Sequence, residues 1–377
     1  MKIAINCIFC QPRGGGIKEY IVNLTNNLSA IDNKNTYILY VLEDQVDFAK
    51  LLLPAKYRIK TVPFKSDFLS VIKRSLFSQR FWYGEEVAER FDIFHSPFFY
   101  APKFKKAKLV ITVHDLRLYR FPETYGKLRY LFLQHSVKET IRRADKIISI
   151  SQFTRNEIID TCQVSPEKIV VIHEAVDRKS FSAEKIENFQ LSTEYECLAT
   201  DRFLFSLGHI EPRKNYKRLI EAFAMIKKDP AYSDLKLVVA GKPNVDADAV
   251  IKLIEATPDV KYLNFVPREF LLWLYKNATL FVFPSFYEGF GFPPLEAASM
   301  GTVSAVSNVS SIPEICGDCA FYYDPYNVVD IAETIKKALS DKVCYEEKHN
   351  MLEQQLQSFS WEKNARETLD VYADMLI

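Results

Sequence analysis

Short apolar runs recur along the chain, each followed by a glycine-bearing or polar turn and then by a stretch whose apolar positions fall three and four apart. Lys2 to Phe9 reads as a buried strand, Gly14-Gly15-Gly16 as a tight loop, and Ile17 to Ser29 as a helix with Ile17, Tyr20, Ile21, Leu24 and Leu28 on one face. The same pattern predicts strands at Thr36 to Leu42, Tyr57 to Val62, Ile93 to His95, Lys108 to Val113, Lys146 to Ile150 and Lys168 to Ile172. Helices are expected between them over Phe68 to Arg90, about Tyr125 to Arg143, and Gln152 to Asp160, the last capped by Ser151. Strands alternating with helices imply a doubly wound α/β sheet.

Periodicity lapses beyond Asp177, and Lys179 to Thr200 reads as a connector. The pattern then restarts with strands predicted at Phe203 to Leu207, Leu235 to Ala240, Val260 to Asn264, Thr279 to Phe283 and Val303 to Val306. Helices are expected at Tyr216 to Lys227 and Ala247 to Ala256. From Val328 the pattern is helical without further strands. At 377 residues the chain exceeds the size at which one core stops growing, so two α/β domains are expected.

Composition removes several function classes. Forty-nine basic residues against forty-eight acidic ones leave no field to attract nucleic acid, and no block of like charge is present. The N-terminus lacks the apolar core of a secretory signal, and no charge-free run reaches the length of a membrane span, so a cytoplasmic location is expected. Seven cysteines suit reduced thiols. The pairs Cys7/Cys10 and Cys316/Cys319 have zinc-like spacing, but Cys7 lies in a buried run and the pairs fall in different expected domains, so no metal site is expected.

The chemistry concentrates in Ser285 to Gly301, SFYEGFGFPPLEAASMG, between an apolar run and a helix whose first turn carries Pro293-Pro294. A helix N-terminus with its unpaired N–H groups suits a phosphate, and Glu288 and Glu296 offer acceptors for hydroxyls. Phosphate with polyol is the chemistry of a nucleotide sugar. His114 and Asp115 end the strand Lys108 to Val113, where open parallel sheets place ligand-contacting residues, and the glycine loop follows the first strand, where such folds bind phosphates.

The two glutamates separated by seven residues, with Gly-Phe-Gly-Phe-Pro between them, resemble the E-x7-E signature of the retaining glycosyltransferases of family GT4. FSLGHIEPRKNYKRLIEAF, LVVAG, LNFVPREFLLWLYKNATLFVFPSFYEGFGFPPLEA, SNVSSIPEICGDCAFYYDP and ITVHDL extend the resemblance over nearly the whole chain. It implies the GT-B fold: two Rossmann-like domains facing each other across a cleft that closes on the donor, with a C-terminal helix crossing back to the first. The domains would be residues 1–185 with about 361–377, and 195–360.

By the same resemblance, Arg213 and Lys214 hold the donor diphosphate, which spares the enzyme a metal; Glu296 takes the ribose hydroxyls, and Glu288 lies beside the transferred sugar. The amides of Gly289, Phe290, Gly291 and Phe292 reach sugar and phosphates, and the base meets backbone near Val266. His114, with Asp115 next to it, contacts the donor sugar from the first domain, and Gly15 and Gly16 close over the diphosphate or the attacking hydroxyl. His209 stands where many members have arginine.

The resemblance is to bacterial surface-polysaccharide mannosyl- and rhamnosyltransferases, with GDP-mannose as the favoured donor and dTDP-rhamnose or a UDP-sugar as alternatives. The acceptor would be a glycan or lipid-linked saccharide. No cofactor is expected. Lys103, Lys105, Lys106 and Lys108, and Lys73, Arg74 and Arg80 near Phe77, Phe81 and Trp82, could meet an anionic membrane. A nucleotide-sugar epimerase of the same fold, or a binding protein without turnover, are the competing readings. The intact carboxylates and cations favour transfer.

Overall fold

Runs such as Lys108 to Val113 become strands buried on both faces, because a parallel sheet must be covered by its crossover helices. The computed structural model describes residues 1–12, 15–187, 189–245 and 247–375, without the side chains of 68–77, 128, 183, 194 and 197. The chain divides into two units, Met1–Ala175 with Ser360–Ile377, and Val176–Phe359.

The first unit holds β1 (Lys2–Asn6), β2 (Thr36–Leu42), β3 (Arg58–Val62), β4 (Ile93–Ser96), β5 (Lys108–Val113), β6 (Lys146–Ser149) and β7 (Ile169–Val171). Their order is β3-β2-β1-β4-β5-β6-β7, and every pairing is parallel, with Ile3 beside Ile93 where the order reverses. Such a reversal opens a crevice at the strands' C-terminal ends. The second unit repeats the plan with β8 (Phe203–Leu207), β9 (Lys236–Ala240), β10 (Val260–Leu263), β11 (Leu280–Phe283), β12 (Ser304–Ser307) and β13 (Ala320–Tyr323). Here the order is β10-β9-β8-β11-β12-β13, reversing between β8 and β11. The expected doubly wound domains are therefore present.

The terminal helix Trp361–Asp374 belongs to the first unit, where Trp361 meets the ring of Tyr20 at 5.9 Å and buried Tyr372 bonds His95. Residues 178–180 are held in the second unit, Arg178 by Glu353 at 2.7 Å and the Ser180 carbonyl by Arg268 at 3.1 Å.

Three features differ from the sequence reading. Gly15 and Gly16 are not a loop but open the helix Gly15–Ile31, which begins two residues before the first apolar position; Gly14 lies outside the described residues. Gly15 takes φ +56°, which a residue without Cβ adopts freely. β13 was not anticipated, since its AFYY run follows directly on the turn Gly317–Cys319 and shows no alternation. Val46–Leu52 is a further helix, one whose seven residues also give too little periodicity to read.

Candidate active site

In the second unit, β8 and β11 end side by side at the reversal of strand order, and two loops leave them. The β8 loop turns through Pro212–Lys214 into Asn215, whose left-handed backbone (φ +57°) starts the helix Tyr216–Ile226. The Asn215 amide donates to the carbonyls of Pro284 at 3.0 Å and Pro325 at 2.9 Å, and Phe286 N–H donates to the Arg213 carbonyl at 2.9 Å. These bonds staple the β8 loop to the β11 loop. Gly241 lets the neighbouring β9 loop approach: a Cβ there would sit 1.9 Å from the Gly208 carbonyl oxygen.

The stapled loops bring Arg213, Lys214 and Glu288 together. Lys214 Nζ lies 2.6 Å from Glu288 Oε1, and Arg213 Nη1 lies 2.8 Å from Glu288 Oε2 and donates to the Tyr287 carbonyl at 2.7 Å. The other edge of Arg213 donates through Nε and Nη2 to Glu211 Oε1 at 3.0 and 2.6 Å, and Asn244 donates to Glu211 Oε2 at 2.8 Å. Most of the guanidinium is thus committed to protein acceptors. Arg213 clamps the two loops as much as it faces a ligand.

Lys214 is 9% exposed at its side chain, lies under Gly208 and carries its ammonium 4.8 Å from the Phe283 ring. Burial opposes the charge on Glu288, but Arg213 and Lys214 overcome it and hold the carboxyl down to about 2. Burial pushes the Lys214 ammonium down, and Arg213 adds to this, while Glu288 opposes it. Two carboxylates and two cations give a cluster without net charge. An added phosphate would reinforce the charged form of Lys214.

Glu296 stands apart from this cluster on the helix Phe292–Ser299, and accepts from the hydroxyl of buried Tyr275 at 2.7 Å. Gly291 precedes that helix at φ +110°, and Pro293 and Pro294 occupy its first turn. Ser311 Oγ donates to the carbonyls of Glu288 (2.9 Å) and Phe290 (2.8 Å), and Glu288 N–H donates to Ser310 Oγ at 3.1 Å, so the segment from Glu288 through buried Gly289 is fixed. The Phe290 ring is buried against Phe292 and Phe359, so the backbone is what Phe290 can offer a ligand. His209 is exposed beside Gly208, and Val266 is half-buried after β10, next to Phe265, which is 69% exposed with Lys242 Nζ at 4.7 Å from its ring.

In the first unit, His114 and Asp115 follow β5, and Gly15 and Gly16 are exposed at the start of the helix after β1. Asp115 accepts from the Arg117 N–H at 3.1 Å. His114 Nδ1 lies 3.0 Å from Glu174 Oε1 and Nε2 lies 3.1 Å from the Pro97 carbonyl, with Tyr20 edge-on at 5.0 Å.

Sequence reasoning missed Glu174, Glu211 and Tyr275. Only the placement of Glu174 just beyond a strand end, and of Glu211 beside the cationic pair, could have flagged them.

Cys7 and Cys10 are buried in the first unit and Cys316 and Cys319 in the second, where burial raises each thiol. Among the described residues no group of three or more His, Cys, Asp or Glu is arranged to hold a metal ion, and no helix is long and apolar enough to cross a membrane. Of the expected membrane-facing group, Trp82 is core, 4% exposed and edge-on to Tyr40 and Phe94, because its helix turns that face onto the sheet. The side chains of Lys73, Arg74 and Phe77 lie outside the described residues. Arg80, Lys103, Lys105, Lys106 and Lys108 are exposed, with Lys103 on Glu139 at 3.1 Å and Lys108 on Asp145 at 3.3 Å.

Residues 192–358 match the family described as Glycosyl transferases group 1, and residues 14–180 match Glycosyltransferase Family 4. O-antigen chain mannosyltransferase B of Escherichia coli is 33% identical over 283 residues, 74% of each chain. The serotype-specific mannosyltransferase WbdA of Escherichia coli is 32% identical over 285 residues, 71% of this chain and 34% of the length of WbdA. Sucrose-phosphate synthase from Thermosynechococcus elongatus superposes with a TM-score of 0.77 at 17% identity, covering 100% of this chain and 99% of that one. Anabaena HepE, solved with UDP and glucose, gives a TM-score of 0.74 at 17% identity, covering 99% and 100%. The likeness to these structures shows the fold, and the similarity in sequence shows the family: the chain belongs to family 4 of the glycosyltransferases.

Proposed function

We propose that this glycosyltransferase moves mannose from GDP-mannose to a surface polysaccharide or its lipid-linked precursor, in the cytoplasm, with retention and without a metal. The observation that carries the reading is the cluster of Lys214, Arg213 and Glu288 at the strand-order reversal, with Glu296 on the helix that follows. The names of the relatives, O-antigen chain mannosyltransferase B and WbdA, support mannose and the polysaccharide.

Lys214 holds the diphosphate and stabilises the charge that grows as it leaves, a role that a buried and pre-positioned cation fills without reorganisation. Arg213 fixes the loop that carries Glu288 and presents its remaining Nη2 N–H to the phosphates. Glu288 stays ionised at any working pH, so it accepts from sugar hydroxyls and donates no proton. Glu296 accepts from the ribose, with Tyr275 setting its orientation. The backbone of Gly289 to Phe292 lies along the sugar and phosphates, Val266 meets the base, and His209 takes the place of a phosphate-binding arginine. From the first unit, His114 and Asp115 contact the sugar and Gly15 and Gly16 the diphosphate or the acceptor. The C1–phosphate bond breaks, the acceptor oxygen bonds C1 on the same face, and the acceptor proton passes to the departing phosphate oxygen. The exposed lysines at 103, 105, 106 and 108 supply a peripheral contact with the anionic inner face of a membrane.

A thermal-shift and calorimetric screen against GDP, UDP, dTDP and their sugar conjugates tests the donor. A ligand at a hundred times its dissociation constant stabilises the fold by about 2.7 kcal/mol. GDP and GDP-mannose are expected to give the largest shifts. A preference for dTDP or UDP would remove mannose as the sugar, and no shift with any nucleotide would remove the transferase reading.

A further inference from the structure

Two histidines of the first unit, buried His95 and half-buried His114, have opposite surroundings. His95 Nδ1 lies 2.6 Å from the Tyr372 hydroxyl and Nε2 lies 2.9 Å from the Thr112 hydroxyl, which in turn is 3.1 Å from the Tyr20 hydroxyl. Hydroxyls donate or accept, so a neutral ring is satisfied there in either tautomer. Burial, with the nearby His114, presses the His95 ring down to about 3.

His114 has no such freedom. The Pro97 carbonyl only accepts, so Nε2 must carry a proton to bond it at 3.1 Å. A carboxylate at Glu174 only accepts, and Nδ1 bonds its Oε1 at 3.0 Å by carrying a proton as well. Glu174 is 1% exposed, and an unpaired carboxylate there would be costly. The groups facing His114 are Glu174 from beyond β7, Asp115 from its own loop, neutral His95 from β4, and Tyr20 from the helix Gly15–Ile31, whose phenol burial keeps un-ionised. Burial works against a charged His114, but Glu174, the Pro97 carbonyl and Asp115 together raise the ring above its ordinary range.

We propose that Glu174 is a positioning residue that keeps His114 doubly protonated, so that the end of β5 contributes to glycosyl transfer a fixed positive charge and no proton acceptor. The role in transfer rests on the transferase reading above. The protonation state does not. It also agrees with a proton that leaves on the departing phosphate, since a ring with two N–H groups has no lone pair to take it.

The full chain labelled with nitrogen-15 histidine tests the charge directly. It has six histidines, and the spectrum of His114→Gln identifies the signal that belongs to position 114. At pH 7.5 both ring nitrogens of His114 are expected to resonate as protonated; a neutral tautomer there overturns the proposal. Glu174→Gln removes the counter-charge. The alkaline limb of its kcat/KM profile should move to lower pH, with activity falling about tenfold per pH unit beyond the new midpoint. Glu174→Asp should recover part of the range, and GDP affinity should stay as in the parent. A parent-like profile for a folded Glu174→Gln overturns the positioning role, and if that variant does not fold, the histidine spectrum of the parent decides. Failure of the parent to bind nucleotide or turn over would instead sink the transferase reading.

Discussion

Each unit sets a buried carboxylate against a cation at the C-terminal end of a parallel sheet, yet the two pairs respond differently to pH. In the second unit Glu288 is gripped by a lysine and an arginine, and Glu211 balances the second cation. Glu288 is held down to about 2, and the two carboxylates beside Arg213 raise its guanidinium further above its ordinary range. In the first unit Glu174 faces one histidine, the side chain whose ordinary range lies closest to working pH. The lesson is a division of labour: the carboxylate of the second unit is held by two cations at once, while the charge beside β5 depends on one carboxylate partner.

Removing the lysine of the second unit should have the largest effect. Lys214→Ala leaves Glu288 buried against Arg213 alone and strips the diphosphate of its cation. Steady-state kinetics should show kcat/KM falling by about 10²–10³-fold with the fold intact. Near-normal turnover would end the phosphate role.

A smaller and different loss is expected from Glu296→Ala, whose carboxylate accepts from the Tyr275 hydroxyl. It should weaken GDP binding by about 1.5–3 kcal/mol, the worth of hydrogen bonds to a charged group, while the chemistry of bound donor is spared. Unchanged affinity in a calorimetric titration would remove the ribose contact.

The smallest effects are in stability, and they sharpen the contrast between the units. His95 sits at about 3 when folded against an ordinary 6.5, so its contribution is complete above 6.5 and is lost as pH falls towards 3. Glu288, depressed from 4.5 to about 2, keeps its contribution above 4.5 and loses it only as pH falls towards 2. The raised His114 works in reverse, stabilising below its ordinary range and losing that contribution as pH rises through its folded value. Melting curves from pH 7 to 5 should therefore decline mainly through His95, and His95→Gln, which still offers a donor and an acceptor, should flatten the decline. An unchanged slope would show that His95 is not buried neutral.

The alternation of apolar runs and amphipathic stretches revealed both sheets, because strands buried on two faces cannot hide their composition. It failed at β13, whose AFYY run follows directly on a turn without alternation, and at Gly15-Gly16, where three glycines in a row suggested a turn although the backbone already enters a helix. Arg213, Lys214 and Glu288 were singled out through the motifs that carry the family resemblance, each beside a strand end. Glu174 was not, since its partner His114 lies 60 residues away and HEAVD contains nothing that names the pairing. Tyr275 was hidden for the same reason: a tyrosine within an apolar helical run reads as core until its hydroxyl is seen on Glu296. Patterns show where a chain turns towards ligand, whereas the partners that tune a charge appear only when distant segments meet.

The most direct test of the account is release of GDP from GDP-mannose by the full chain, in excess chelator, with and without a saccharide linked through diphosphate to a lipid. The account predicts that GDP appears only when the acceptor is present and that chelation leaves the rate unchanged. GDP formed equally without acceptor, or no GDP until a divalent metal is restored, would contradict it.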